Sequence, residues 1–523
     1  MGRLLRWLLL ALVLANGVPS YAEDGPFVPE SLRVPGRPVE VTPARFGERA
    51  GGFAEGLIVA CVAGTPPDEV RRLAFFPPDG RGRYAAEPAG LLELPADVVA
   101  YDLVPEATGP GDRVALLASN AIVLLSPLSD LPRTRLPLEP RAPLPPRTRE
   151  VARLRFMDAW DGRGVHSALV PTLTGARLVA LGAAGAPART LELPLLAEYA
   201  MAGPGPPSQD ELLKSWIEWP TLALGEDDGD GRSDLFALSR FGVWIFHGGP
   251  EGLPASPSRR LALRAFTPAE ELRYKATALL MIASDLNGDG RTDLVVHHTS
   301  GTLLKSRSVT AVHLNPGNGV RLDRPPDVLL DETDGLASID ARDLDGDGKQ
   351  ELVQSKIAFG IVQVARALAL RRAEVDLRVY PLTRTDGTPP VPSWSGSVSL
   401  PLDFAQGRVE GLLPTAQGDW NGDGRRDLMY GLARDEIAFH LGVAGTTGPG
   451  FGPRIATQHG PAEGSSTVSD LDGDGLDDLI VYDPRDTEGK VHVLRNAGTL
   501  PGTPPSLRRV GGGADAPAKA PSP

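Results

Sequence analysis

Apolar residues in this chain come in short runs, each closed by glycine, proline, aspartate or asparagine. Ala278–Ala283, Leu294–His297, Thr310–Leu314, Asp327–Leu330 and Leu479–Tyr482 are examples. Runs of this length between turn residues predict β-strands. From Ala278 to Leu330 the pattern yields four strands in succession, which is the strand number of a propeller blade.

Between the first and second strand of such a unit lies a nine-residue polar segment, and it recurs five times: Glu226–Asp234, Asp285–Asp293, Asp343–Glu351, Asp419–Asp427 and Asp470–Asp478. Oxygen-bearing side chains stand at positions 1, 3, 5 and 9. They are Glu226, Asp228, Asp230 and Asp234; Asp285, Asn287, Asp289 and Asp293; Asp343, Asp345, Asp347 and Glu351; Asp419, Asn421, Asp423 and Asp427; Asp470, Asp472, Asp474 and Asp478. Glycine stands at positions 4 and 6 of every copy, where it lets the backbone turn sharply. Carboxylates this dense repel one another unless a cation sits among them, and hard oxygen donors suit Ca2+. The expectation is about five Ca2+ sites. Acidic turns without metal are the competing reading, but they do not account for five copies in matched spacing.

The loops are not EF-hands. An EF-hand needs a bidentate Glu at position 12 and flanking helices. Position 12 here is Ala237, Val296, Gln354, Tyr430 or Val481, and the flanks are strand-like. Each loop is therefore expected to join two strands of a hairpin, with the fourth ligand at position 9.

Composition sharpens this picture. The 523 residues include 60 Gly and 51 Pro and only 6% aromatics, which is turn-rich. Net charge is −13, and 18 of the 66 acidic residues sit at loop ligand positions, leaving 48 against 53 Lys and Arg. The acidity thus belongs to the loops, and no basic run suggests nucleic acid. Residues 1–22 read as a secretory signal, with Arg3 and Arg6, the apolar core Leu8–Leu14 and a Ser20-Tyr-Ala22 cleavage site. Export to the periplasm or the extracellular space is expected, with no membrane span after cleavage. Cys61, the sole cysteine, lies in an apolar run and has no partner for an intrachain disulfide.

The loops begin at 226, 285, 343, 419 and 470, a period that points to a repeat architecture. The first half continues the pattern without the ligands. Asp158–Gly164 looks like a worn loop, Asp102–Asp112 sits one period earlier, and Leu57–Leu94 supplies a further unit. The prediction is an all-β propeller of seven or eight four-stranded blades over residues 37–510. Residues 23–36 form an extended lead and residues 511–523 a disordered tail. Two inserts interrupt the period, Pro194–Lys214 and Ile357–Arg372; within the second, Ala365–Arg372 is either a short helix or a long strand.

The repeats resemble FG-GAP/VCBS repeats, which build the propeller of integrin α subunits and occur in many bacterial exported proteins. The metal loop with its trailing Asp-Leu carries half of the resemblance. The segment Val243-Trp-Ile-Phe-His-Gly-Gly-Pro-Glu-Gly-Leu253 carries the other half, with weaker copies at Val312–Gly319 and Val491–Gly498. The resemblance covers about residues 217–500 well and 50–216 poorly. It implies ions in hairpins on one face of the ring. Glu226 departs from the usual Asp at position 1. Known members range from adhesion modules to lectins and polysaccharide lyases, so the motif does not choose a function.

No nucleophile elbow, zinc-protease helix, phosphate-binding loop or dinucleotide fingerprint occurs. The histidines are scattered, and His297 and His298 would face opposite sides of one strand. Trp160, Trp216, Trp219, Trp244, Trp394 and Trp420 are candidates either for sugar stacking and partner anchoring or for blade packing. The first expectation is an exported binding, adhesion or scaffolding propeller that is not an enzyme, with an envelope protein or polysaccharide as partner. The alternative is a lectin or polysaccharide lyase of propeller type.

Overall fold

A computed structural model describes residues 25–46, 55–65, 68–106, 111–128, 133–144, 150–160, 166–181, 189–194, 196–201, 213–263, 278–302, 305–358, 361–382, 390–403 and 408–507. The expected signal peptide, the C-terminal tail and Gly203–Pro207 lie outside the described residues.

Eight sheets, each with four antiparallel strands, follow one another along the chain; Ala152–Arg153 adds a parallel edge to the second and Arg408–Val409 an antiparallel edge to the sixth. Blade one comprises Arg37–Ala44, Gly56–Ala63, Val70–Phe76 and Gly90–Glu93; blade two Val98–Pro105, Asp112–Ala118, Ala121–Leu125 and Thr134–Pro137. Blade three comprises Met157–Asp158, Ser167–Pro171, Gly175–Ala180 and Arg189–Glu192; blade four Thr221–Gly225, Asp234–Ser239, Gly242–Phe246 and Arg259–Ala262. Blade five comprises Ala278–Ser284, Asp293–Thr302, Lys305–His313 and Val328–Thr333; blade six Gly335–Arg342, Glu351–Ala358, Arg372–Tyr380 and Trp394–Asp403. Blade seven comprises Thr415–Gly418, Asp427–Ala433, Glu436–Ala444 and Pro449–His459. Blade eight takes Ser465–Ser469, Asp478–Tyr482 and Lys490–Asn496 from the end of the chain and its fourth strand, Phe27–Arg33, from the beginning. That strand pairs antiparallel with the third, from Phe27 opposite Asn496 to Arg33 opposite Lys490. The extended lead thus closes the ring, and the blade number is eight.

The blades hold together through side chains that alternate along each second strand. In blade four, Leu235 and Ala237 pack toward blade three, while Phe236 and Leu238 pack toward blade five. In blade one, Leu57, Val59 and Cys61 face blade eight, and Ile58 and Ala60 face blade two. Such strands are covered on both sides, so they read as unbroken apolar runs. The buried residues form eight clusters, one for each pair of neighbouring blades, the last joining Ile480 and Val493 of blade eight to Val41 and Phe76 of blade one. Cys61 is buried in this last interface, and burial pushes its thiol up to about 11, which leaves it inert.

All five metal-type loops connect a first strand to a second strand, so strand alternation places them on one face of the ring. Both inserts leave on the other face. The helix Ile361–Leu370 connects the second and third strands of blade six, which decides the helix-or-strand question. The hairpin Leu196–Met201/Leu213–Glu218 lies between blades three and four. Among the described residues no helix is long and apolar enough to cross a membrane.

Candidate metal centres

The loops belong to blades four to eight, and their internal hydrogen bonds repeat. The position-1 carboxylate accepts N–H groups from the glycines at 4 and 6: Asp285 from Gly288 (2.8 Å) and Gly290 (2.7 Å), Asp343 from Gly346 (2.7 Å) and Gly348 (2.9 Å). Asp419, Asp470 and Glu226 accept the same pair. The position-5 carboxylate caps the position-7 N–H, as Asp289 does for Arg291 at 2.9 Å and Asp423 for Arg425 at 2.9 Å. Both glycines are left-handed in every loop, with φ between 71° and 86°. At position 6 a Cβ would meet almost nothing, so the requirement there is conformational, not spatial.

Position 9 is different. Asp234, Asp293, Asp427 and Asp478 are fully buried, and Glu351 is 5% exposed. One oxygen accepts the N–H of position 2, as in Asp293 with Leu286 at 3.0 Å and Asp427 with Trp420 at 2.7 Å. In four blades the other oxygen accepts an N–H from the last residues of the third strand or just beyond it: Gly248 (2.8 Å), Asn315, Gly442 and Asn496 (each 2.7 Å). Burial raises these carboxyls above their usual range, with further upward pressure from neighbouring loop carboxylates and opposition from the backbone donors. Asp234 and Asp293 are pushed up to about 6, and Glu351, Asp427 and Asp478 to about 7.

Ligand-type oxygens converge within 4.8 Å in Glu226, Asp228 and Asp230, in Asp343, Asp345 and Asp347, and in Asp470, Asp472 and Asp478. In the two loops with Asn at position 3, Asn287 and Asn421 donate to Asp289 and Asp423 at 3.2 Å. Asp345 Oδ1 is shielded from water and has no hydrogen-bond donor. A buried anionic oxygen without a partner is costly, and a cation held by Asp343, Asp345 and Asp347 would satisfy it. The donor set is all oxygen with several charges, which fits Ca2+. A bound ion there would supply charge neutralisation, and the chain's own part is to hold the carboxylates in place.

The loops are also tied to one another. The position-8 residue of one blade reaches back to the loop before it. Thr292 N–H donates to the Glu226 carbonyl (2.7 Å), and Glu226 N–H donates to Thr292 Oγ1 (2.8 Å). Gln350 and Arg426 donate to the carbonyls of Leu286 and Leu344, and Asp477 Oδ2 accepts from Asp419 N–H at 2.7 Å. Asn315 Nδ2 donates to the Asp227 carbonyl and Asn496 Nδ2 to the Trp420 carbonyl, each at 2.8 Å. These connectors are absent from a reading of loop positions 1, 3, 5 and 9. The asparagines do lie inside the segments Val312–Gly319 and Val491–Gly498, whose recurrence was the available signal.

The described tryptophan side chains serve packing. Trp160 and Trp420 are fully buried, and Trp420 stands edge-on to Phe27 and Phe439 with ring centroids 5.6 Å from each. Trp219, Trp244 and Trp394 are half-buried against blade interfaces. The side chain of Trp216 lies outside the described residues.

An FG-GAP-like repeat model matches residues 285–353. Human integrin alpha-E is 38% identical over 117 residues, which are 22% of this chain and 9% of that protein, so the chain spans a small part of that relative's length. Among solved structures, the V. cholerae biofilm matrix protein Bap1 aligns with a TM-score of 0.39 at 12% identity, covering 92% of this chain and 91% of that one. A lectin from Agrocybe aegerita that recognises non-reducing terminal N-acetylglucosamine aligns with a TM-score of 0.39 at 13% identity, covering 89% of this chain and 99% of that one. By architecture the chain is an eight-bladed β-propeller. Its repeats are FG-GAP-like, similar to those of integrin α.

Proposed function

We propose that this chain is an exported, calcium-stabilised propeller that serves as a protein-interaction, adhesion or scaffolding module. The observation that carries the reading is the recurrence of one loop geometry in five consecutive blades, with Asp345 Oδ1 left for a cation to satisfy. Ions bound only by the folded hairpins add their binding free energy to stability. Extracellular calcium is concentrated enough for weak sites to fill. The position-8 connectors would spread this effect from blade to blade.

Recognition would fall to the opposite face, where both inserts emerge. The helix Ile361–Leu370 exposes Leu368 and Leu370 beside a cavity of ≈ 390 Å³ lined by Val364, Ala373, Leu402 and Val409. Metal chemistry and partner binding would then occupy separate surfaces.

Elemental analysis in calcium buffer tests the metal, with about five equivalents expected and a lower melting temperature in chelator. Metal-free protein with an unchanged melting temperature refutes it. Incubation with acidic polysaccharides tests the alternative: unsaturated products in the ultraviolet would replace the scaffold reading with a lyase.

A further inference from the structure

The turn between the second and third strand recurs in every blade on the face away from the oxygen-rich loops, and its chemistry divides the ring in two. In blade three it is residues 172–174, with Leu173 78% exposed at the tip. In blade four it is Arg240 and Phe241, with Phe241 52% exposed. In blade six it widens into the helix Ile361–Leu370, where only Gln363 and Arg366 are polar and Leu368 and Leu370 are each 57% exposed. The turn of blade five, 303–304, lies outside the described residues. Among the described residues, the same turns of blades seven, eight, one and two expose no large apolar side chain. Acids stand there instead: Asp435 in blade seven, Asp483, Asp486 and Glu488 in blade eight, Asp68 and Glu69 in blade one.

The apolar tips are fixed outward by their own turns. Phe241 N–H donates to Ser239 Oγ at 3.3 Å, and the Ser239 hydroxyl donates to the Gly242 carbonyl at 3.1 Å. Beneath Leu173, Thr172 N–H donates to the Gly175 carbonyl at 2.9 Å. Large side chains held in water in this way forgo the gain of burial, and several on one face mark an interaction surface. Cations stand beside them. Arg240 precedes Phe241, Lys305 opens the third strand of blade five, and Arg371 follows the helix. Lys305 and Arg371 are exposed. Arg366 is neutralised by Glu374 at 3.0 Å. No Asp or Glu occurs in residues 172–174, 240–241, 303–304 or 359–371, so on a chain of net charge −13 these turns are basic.

We propose that the turns of blades three, four and six form an arc that docks on an anionic phospholipid surface. Leu173, Phe241, Leu368 and Leu370 enter the interface, while Arg240, Lys305 and Arg371 face its phosphates. The separation of the tips selects lipid over protein. They stand on different blades with polar residues such as Thr172 and Thr174 beside them, whereas a specific protein interface buries one continuous patch of about 800 Å² on each side. A fluid interface takes each tip separately, and apolar side chains combined with cations are how a chain binds a membrane without spanning it. The acidic turns of the other blades are repelled by the same surface, so the ring sits tilted on one edge. The inference deepens the adhesion reading and rests on its placement of recognition on this face.

The test is co-sedimentation of the exported protein, freed of residues 1–22 so that they cannot bind lipid themselves, with vesicles of equal parts phosphatidylglycerol and phosphatidylcholine. The buffer holds about 2 mM Ca2+. Binding is expected, lost as salt approaches about 1 M and weaker at least about tenfold on pure phosphatidylcholine. Leu173→Ser combined with Phe241→Ser should weaken it at least about tenfold, and Arg371→Gln about fivefold, with the melting temperature unchanged. Val391→Ser should change nothing, since Val391 is 81% exposed in the loop between the third and fourth strands of blade six, on the opposite face. No binding by the wild type overturns the proposal, and so does binding that the double variant preserves. Loss of binding in Val391→Ser overturns it by moving the contact to the other face. Light scattering that shows self-association, abolished by the double variant and without vesicle binding, assigns the arc to a second copy and overturns it too. If the double variant does not fold, Arg371→Gln and the salt series decide, and indifference to both is refutation. A wild type that ignores vesicles but retains its calcium leaves the calcium-stabilised propeller standing, so the two readings fail separately.

Discussion

Asp345→Asn in the loop of blade six separates charge from shape. Asp343, Asp345 and Asp347 bring oxygens within 4.8 Å of one another. Two unit charges at that distance repel by about 1 kcal/mol in water-like surroundings. The low-dielectric figure does not apply, because Asp347 is exposed. Asp345 Oδ1 accepts no hydrogen bond, so the amide costs none at that atom. Asp345 faces two such neighbours, so in chelator the variant should be more stable than the wild type by about 1–2 kcal/mol. With calcium the effect opposes this one. A site with a dissociation constant of about 0.1–1 mM contributes about 0.7–1.8 kcal/mol in about 2 mM calcium. The increment in stability between chelator and calcium should shrink by that amount, and the bound calcium count should fall by one. Urea unfolding under both conditions, with elemental analysis, measures all three quantities. A variant that is less stable in chelator, or that keeps the full increment and count, would show that the loop is a turn and not a metal site.

Other perturbations probe the scaffold. His297 is buried between Thr310 Oγ1 (2.8 Å) and the Ala337 carbonyl (2.9 Å), and burial holds its pKa below the ordinary value. The folded chain binds this proton less readily than the unfolded one, so the contribution is present above about pH 6.5 and is lost as pH falls below it. The urea midpoint gap between wild type and His297→Gln should narrow between about pH 7.5 and about pH 5; a constant gap contradicts this. Thr292→Val leaves the Glu226 N–H without its acceptor and should cost about 1–3 kcal/mol. Equilibrium unfolding would detect it, and a neutral result would remove Thr292 from the connectors. Deleting residues 27–33 strips blade eight of its outer strand and bares the edge of Lys490–Asn496. Light scattering should then report oligomers, and a monomer of undiminished stability would show that closure by this strand is dispensable.

The oxygen-rich loops were legible because they are local. Nine residues carry the donors, the turning glycines and the buried acid, and no distant contact is needed to recognise them. The four-strand unit was legible for a similar reason, since strands such as Leu235–Leu238 announce two-sided burial by unbroken apolar sequence. What remained open depends on residues far apart in the chain. Seven against eight blades turned on whether Phe27–Arg33 reaches Lys490–Asn496, a pairing that spans nearly the whole chain. Trp420 stands at a loop position beside a candidate metal, and only the packing of Phe27 and Phe439 around it turns it inward. Thr292, Asn315 and Asn496 act on the preceding blade, and His247 meets Asp227 twenty residues back with Arg259 closing the group from the fourth strand. Sequence alone therefore determined which oxygens cluster, because a turn writes its own geometry. Only the closed ring decided which blades those clusters join and which side chains stand beside them, because ring closure brings together segments that no local rule relates.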